Sequence, residues 1–221
     1  MSIAAFLKAF LGLFAMMNPI GNTGIFIGVT GGLPTSFQVR AALKTCIAVL
    51  IILELSIFGG MAILDVFGIS IQAFQTAGGL IVLGIGMKML HGEENSSHAT
   101  EGGKAALKDV AQEEEAASGK LIIPLAMPIL GGPGSITTVV TVAAAFPTLE
   151  GRIGAAAGTA ALVGTMLICF SLSSYISRYL NDHAQEIILR FMGLILVAIG
   201  MDMMLGGVED SLAKSGIFHQ S

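Results

Sequence analysis

Four stretches of this chain carry no charged side chain at all: residues 9–39, 66–87, 121–149 and 153–177. Each exceeds the roughly 20 apolar residues an α-helix needs to cross a bilayer, so these runs demand a membrane fold before any other pattern is read. Strands of a transmembrane barrel would alternate in polarity over about ten residues. The runs here are continuous, and the expected fold class is an all-α membrane protein. Composition agrees, because 12% of the 221 residues are charged, about half the usual share in a soluble domain. A net charge of -4 with no basic stripe argues against a nucleic-acid partner. The two cysteines, Cys46 and Cys169, sit inside apolar sequence rather than in a disulfide framework.

Turn signals between the apolar runs give six transmembrane helices, near Ile3–Val29, Ala41–Phe67, Ile71–Leu90, Leu121–Phe146, Ile153–Ser177 and Ile187–Leu205. The first run is too long for the apolar core of a signal peptide and is expected to be retained. With six crossings, loops one, three and five share a side, and they hold eight of the eleven Lys and Arg residues. The positive-inside rule then puts the long loop inside and both termini outside. Residues 91–119 form an acidic linker with seven Asp and Glu against Lys104 and Lys108. It is expected to be solvated; the spacing of His91 and His98 fits no metal motif.

An internal repeat organises the rest. Gly79-Leu-Ile-Val-Leu-Gly-Ile-Gly-Met-Lys-Met89 aligns without gaps on Gly193-Leu-Ile-Leu-Val-Ala-Ile-Gly-Met-Asp-Met203, with seven of eleven positions identical and an offset of 114. The same offset lays Asn18-Pro19 on Gly132-Pro133. Residues 1–90 and 120–221 are therefore expected to be two copies of a three-helix unit. An odd number of crossings makes the second copy enter the bilayer from the opposite side, giving two inverted repeats, an organisation associated with secondary transporters.

Helices one and four are each expected to be discontinuous. Asn18-Pro19-Ile20-Gly21-Asn22 and Gly131-Gly132-Pro133-Gly134-Ser135 lie near the middle of their spans. An interior proline removes a backbone hydrogen bond and clashes with the preceding turn. Asn18 can cap and Pro19 can begin a new half-helix, and Gly132-Pro133 repeats the arrangement. A half-helix that starts at the midplane offers N–H groups and the positive end of its dipole to an anion such as a carboxylate. Asn18, Pro19, Gly21, Asn22, Thr23, Gly132, Pro133, Gly134, Ser135 and Thr137 are the expected substrate contacts, joined by Thr138. All are neutral and most are small, which suits a small, net-neutral solute. No cofactor, metal or catalytic residue is expected, and the histidines are read as lying in loops or the tail. Glu54, near the centre of span two, is the candidate for proton or cation coupling, because an acid at that depth costs at least about 2.5–3.5 kcal/mol; a structural carboxyl is the competing reading. Gly24-x-x-x-Gly28 and Gly154-x-x-x-Gly158 allow close helix approach, within the monomer or on a homo-oligomer face.

Three ordered motifs carry a family resemblance: Phe10-x-Gly-Leu-Phe-Ala-x-Met-Asn-Pro-Ile-Gly21, Phe67-Gly-Ile-Ser-Ile71 followed by Ala77-Gly-Gly-Leu-Ile81, and Pro124-Leu-Ala-Met-Pro128 with Gly132-Pro-Gly134. Together they resemble the MarC family of six-helix bacterial and archaeal inner-membrane proteins. The resemblance implies a neutral amino acid transporter fold, since archaeal relatives move glycine, alanine and similar solutes. Its substrate contacts fall on Asn18, Pro19, Gly21 and Asn22 and on Gly132, Pro133, Gly134 and Ser135. Glu54 is not part of the family pattern. A channel, or an exporter of another small solute, is the alternative function.

Overall fold

The computed structural model describes residues 1–30, 35–91, 131–176 and 182–214. The acidic linker and the first half of span four lie outside the described residues. All regular structure among the described residues is helical: α1 (Ile3–Met17), α2 (Pro19–Thr30), α3 (Thr35–Val66), α4 (Ile71–His91), α5 (Pro133–Ala145), α6 (Leu149–Ser171), α7 (Ser173–Ile176) and α8 (Asp182–Lys214). Four stretches, Gln38–Val66, Ile71–His91, Leu149–Ser171 and Glu186–Lys214, are each long and apolar enough to cross a membrane, while α1 and α5 are shorter apolar helices. α3 starts six residues before the expected span and α8 overruns its span at both ends. Hydropathy marks the part of a helix that fits the hydrocarbon, whereas the helix itself continues into the headgroups where charged residues such as Arg40 and Glu209 are solvated. For the same reason His91 is the last residue of α4 rather than a loop residue, with its Nδ1 2.7 Å from the Met87 carbonyl, and His183 lies in the first turn of α8.

Local sequence explains where the helices begin and turn. Ser2 caps α1 by accepting the Ala5 N–H at 3.3 Å, and Thr148 caps α6 by accepting the Gly151 N–H at 3.1 Å. Gly68, at φ +67°, closes α3: its N–H reaches the Asp65 carbonyl, and the Ile69 N–H reaches the Leu64 carbonyl. That pair of bonds is the Schellman stop. Ser70 then caps α4, so only a short turn joins α3 to α4, after which α3 packs on α5 and α6 while α4 packs on α5 and α8. The chain's N-terminus is tied to the α5–α6 turn, because the Ser2 N–H donates to the Glu150 carbonyl at 3.1 Å.

Packing fixes the directions. α1 runs parallel to α6, since Gly154 and Gly158 leave no room for a Cβ against the Ser2 and Phe6 carbonyls; this Gly-x-x-x-Gly pair therefore packs within the monomer. α4 and α8 are antiparallel and nearly backbone to backbone. A Cβ on Gly79 would lie 2.7 Å from the Gly200 carbonyl oxygen, and one on Gly193 would lie 2.9 Å from that of Gly86. α5 runs against α1 and α4 and parallel to α3, and it meets α3 where a Cβ on Gly60 would lie 2.6 Å from Val140. The main core joins Leu13, Met17, Leu53, Ile57, Leu162 and Met166. A second cluster, with Val82, Met89 and Leu196, seals the α4–α8 pair. On the far side of α3, Leu43, Ile47, Ile51, Leu55 and Phe58 form a stripe that reaches 67% exposure at Leu55. A stripe of that size in water would drive aggregation; against acyl chains it is the matching surface.

Candidate functional site

The site is built from two helix starts. α1 ends at Met17, and Asn18 takes φ 35°, ψ 70°, a left-handed conformation that asparagine tolerates better than most residues. From there one residue serves both half-helices. The Asn18 N–H donates to the Phe14 carbonyl at 3.0 Å and finishes α1. Its Oδ1 accepts the Gly21 N–H at 3.1 Å and its carbonyl accepts the Asn22 N–H at 2.9 Å, which starts α2. Pro19, at the first position, has no N–H to satisfy. The Asn22 amide reaches back to the Met17 carbonyl at 2.5 Å, and Thr23 donates to the Pro19 carbonyl at 2.7 Å. Asn18 and Thr23 are buried.

The second start has the same layout with fewer side chains. Gly132 is extended, at φ -70° and ψ 179°, Pro133 opens α5, and Gly132 provides no side-chain cap. Its carbonyl accepts the Ile136 N–H at 3.1 Å. Thr137 donates to the Pro133 carbonyl and Thr138 to the Gly134 carbonyl, both at 2.8 Å. The Thr137 bond repeats, 114 residues on, the bond from Thr23 to Pro19. Gly134, Ser135, Thr137 and Thr138 are buried and Pro133 is exposed.

These two starts are neighbours. A Cβ on Gly134 would collide with the end of the Met16 side chain, and one on Gly12 would lie 3.0 Å from Thr138. The last turn of α1 therefore lies on the first turn of α5. α4 closes the other side, with Gly78 against Thr137 and Ile85 3.5 Å from the Gly134 position. Amides, hydroxyls and backbone line this place together with the Met16 and Ile85 side chains, and no group of three His, Cys, Asp or Glu able to hold a metal occurs among the described residues.

Glu54 stands apart from this ring of contacts. α3 and α5 run in the same direction, and Gly60 meets Val140, so Glu54, six residues earlier on α3, is at the height of Gly134. Six residues turn a helix by about 600°, which puts Glu54 on the flank of α3 rather than on its α5-facing side. It is half-buried, with no ion pair to a described residue. Its counterpart 114 residues on, Ile168, is exposed.

Sequence reasoning found the helix starts from proline and glycine but missed two features: the double use of Asn18 and the stack of Phe26 on Phe170, with ring centroids 4.6 Å apart. The first was foreshadowed by an Asn-Pro-x-Gly-Asn string. The second joins residues 144 apart, and no local pattern signals it.

Comparison with known proteins gives the chain its relatives. The sequence pattern of MarC family integral membrane proteins matches residues 3–212. A UPF0056 membrane protein of Pyrococcus horikoshii is 36% identical over 210 residues, covering 94% of this chain and 96% of the relative. Another from Bacillus subtilis is 31% identical over 209 residues, covering 95% and 96%. A third, from Escherichia coli, is 30% identical over 206 residues, covering 92% of each chain. No solved structure matches. The chain is an integral membrane protein and belongs to the MarC family.

Proposed function

We propose that this protein is a secondary transporter of small neutral amino acids of the glycine and alanine type, working by alternating access around a midplane site between the α1–α2 break and the start of α5. The observation that carries the reading is the meeting of two helix starts, one capped by its own side chain and the other, at Gly132, without a side-chain cap. An uncapped start is the natural seat for a carboxylate. Met16 and Ile85 lie against Gly134, so a solute seated there displaces the flexible Met16 tip and can carry only a short side chain.

Two inverted three-helix repeats, 1–90 and 120–221, are the framework of this proposal. Support comes from the helix boundaries, since Pro19 and Thr35 begin α2 and α3 while Pro133 and Leu149 begin α5 and α6, each pair 114 apart. The α4–α8 contacts support it too. Moving each residue to its partner at that offset turns the Gly79–Gly200 contact into Gly193–Gly86, which is also present. A two-fold axis between the two helices has that property. Rocking of one repeat on the other about such an axis gives alternating access. Glu54, at the height of the α5 start, is the coupling group in this scheme. The proposed setting is a cell inner membrane with both termini outside and residues 91–119 in the cytoplasm.

Counterflow tests the function. Proteoliposomes preloaded with unlabelled glycine should accumulate labelled glycine and alanine saturably. Ion current without saturation would make the protein a channel, and counterflow restricted to solutes other than amino acids would make it an exporter of another class.

A further inference from the structure

One helix crossing has no chemical counterpart at the position 114 residues away. Phe26 of α2 lies flat on Phe170 of α6, with ring planes 2° apart and centroids separated by 4.6 Å. The corresponding positions are Val140 and Ser56. There the crossing of α5 and α3 is made by Val140 seated on Gly60, where a Cβ would lie 2.6 Å from the valine. That contact is tight to the backbone, so it opens only if whole helices part. The Phe26–Phe170 crossing is spanned by two side chains, which can swing about their own torsions while the helices move little.

Position tells which half of the molecule this side-chain contact closes. Phe26 is two turns beyond Pro19, on the part of the broken helix that leads away from the chain's N-terminus. We propose that the Phe26–Phe170 stack is the latch on the half-pathway running from the midplane to the membrane face opposite the N-terminus, and that the structure is closed on that face. The proposal rests on the transport reading above.

The chain carries its own reporter for this latch. Cys46 is 4% exposed, and it shares a core cluster with Phe170 against which Phe26 packs. It lies eleven residues into α3, whose start joins the end of α2, so it is in the same half of the bilayer as the stack. In a Cys169→Ser background Cys46 is the sole thiol, and in oriented proteoliposomes a membrane-impermeant maleimide should modify it slowly from either face. Phe26→Ala should accelerate the modification about threefold to tenfold, as expected for loss of one aromatic pair. The acceleration should be confined to the face where α2 ends. Phe170→Leu, a gentler change, should act in the same direction, and Phe26→Tyr, which keeps the stack, should stay slow. Phe14→Ala removes a ring from the same cluster, one that stacks on Phe10 instead, and should leave the rate near native. No acceleration in Phe26→Ala and Phe170→Leu, acceleration from both faces, or equal acceleration by Phe14→Ala would overturn the latch. One-sided acceleration in a protein that exchanges no amino acid would uphold the latch and refute the solute instead.

Discussion

At Asn18 a side chain caps the half-helix that the residue opens; at Gly132 no side chain does. The two starts share the proline, the threonine four residues later and the hydrogen bond between them. They differ at the capping position, Asn18 against Gly132. Asn18 spends its amide oxygen on the Gly21 N–H, while Gly132 has no side chain with which to cap α5. A helix start in a bilayer must find partners for its N–H groups, because water is scarce there and each unmet group costs free energy. The first break meets that need from within, which makes it a structural pivot. The second start lacks such a side-chain cap, and it is there that the proposed transporter would seat its substrate's carboxylate.

The largest effect should come from filling the shared space. Gly134 lies against Met16, and Gly134→Leu should abolish glycine counterflow, with the protein still inserted and eluting as a single species in size-exclusion chromatography. The Met16 tip is flexible, so Gly134→Ala should retain measurable transport. Glu54 offers the next contrast, since its counterpart is Ile168. Glu54→Gln should leave counterflow intact and remove accumulation driven by an imposed proton gradient; unchanged accumulation would make Glu54 a structural carboxyl.

Making the two starts alike is a subtler perturbation. The extended backbone at Gly132 suits a capping side chain, so Gly132→Asn should place an amide oxygen on the α5 N–H groups. Such a cap adds about 0.5–2 kcal/mol of stability, visible as a higher Tm. It also competes with a carboxylate for the same donors. A charge-assisted hydrogen bond is worth roughly 1.5–3 kcal/mol, so the apparent affinity for glycine should fall about tenfold or more. Stability and affinity would then move in opposite directions. The reverse substitution, Asn18→Gly, keeps a residue at ease in the left-handed region and loses only the side-chain cap. It should lower the Tm slightly and change counterflow by no more than a few-fold.

Much of this was legible before any coordinates. Uncharged runs reveal apolar helices because hydrocarbon excludes charge, and the Asn18-Pro19 and Gly132-Pro133 strings reveal helix starts because proline suits the first helical position. The offset of 114 is written in two separate motifs. Helix ends were less legible: α8 continues to Lys214, where Glu209 and Asp210 lie beyond the apolar stretch, and polarity says nothing about where a solvated helix stops. The unequal caps were half visible, since Gly132 plainly lacks a side chain, but the φ of Asn18 that lets it serve both half-helices is a property of the folded backbone. The Phe26–Phe170 stack was invisible because it depends on how α2 leans on α6 after the break.

The central claim is that the α5 start holds the substrate's carboxylate, and competition in glycine counterflow tests it directly. Unlabelled glycine and alanine should compete with labelled glycine in the native protein. Methylamine, which is glycine without its carboxylate, should not compete, and Gly132→Asn should need about tenfold more glycine for the same competition. Methylamine competing as well as glycine, or native glycine affinity in Gly132→Asn with the cap formed, would contradict the claim.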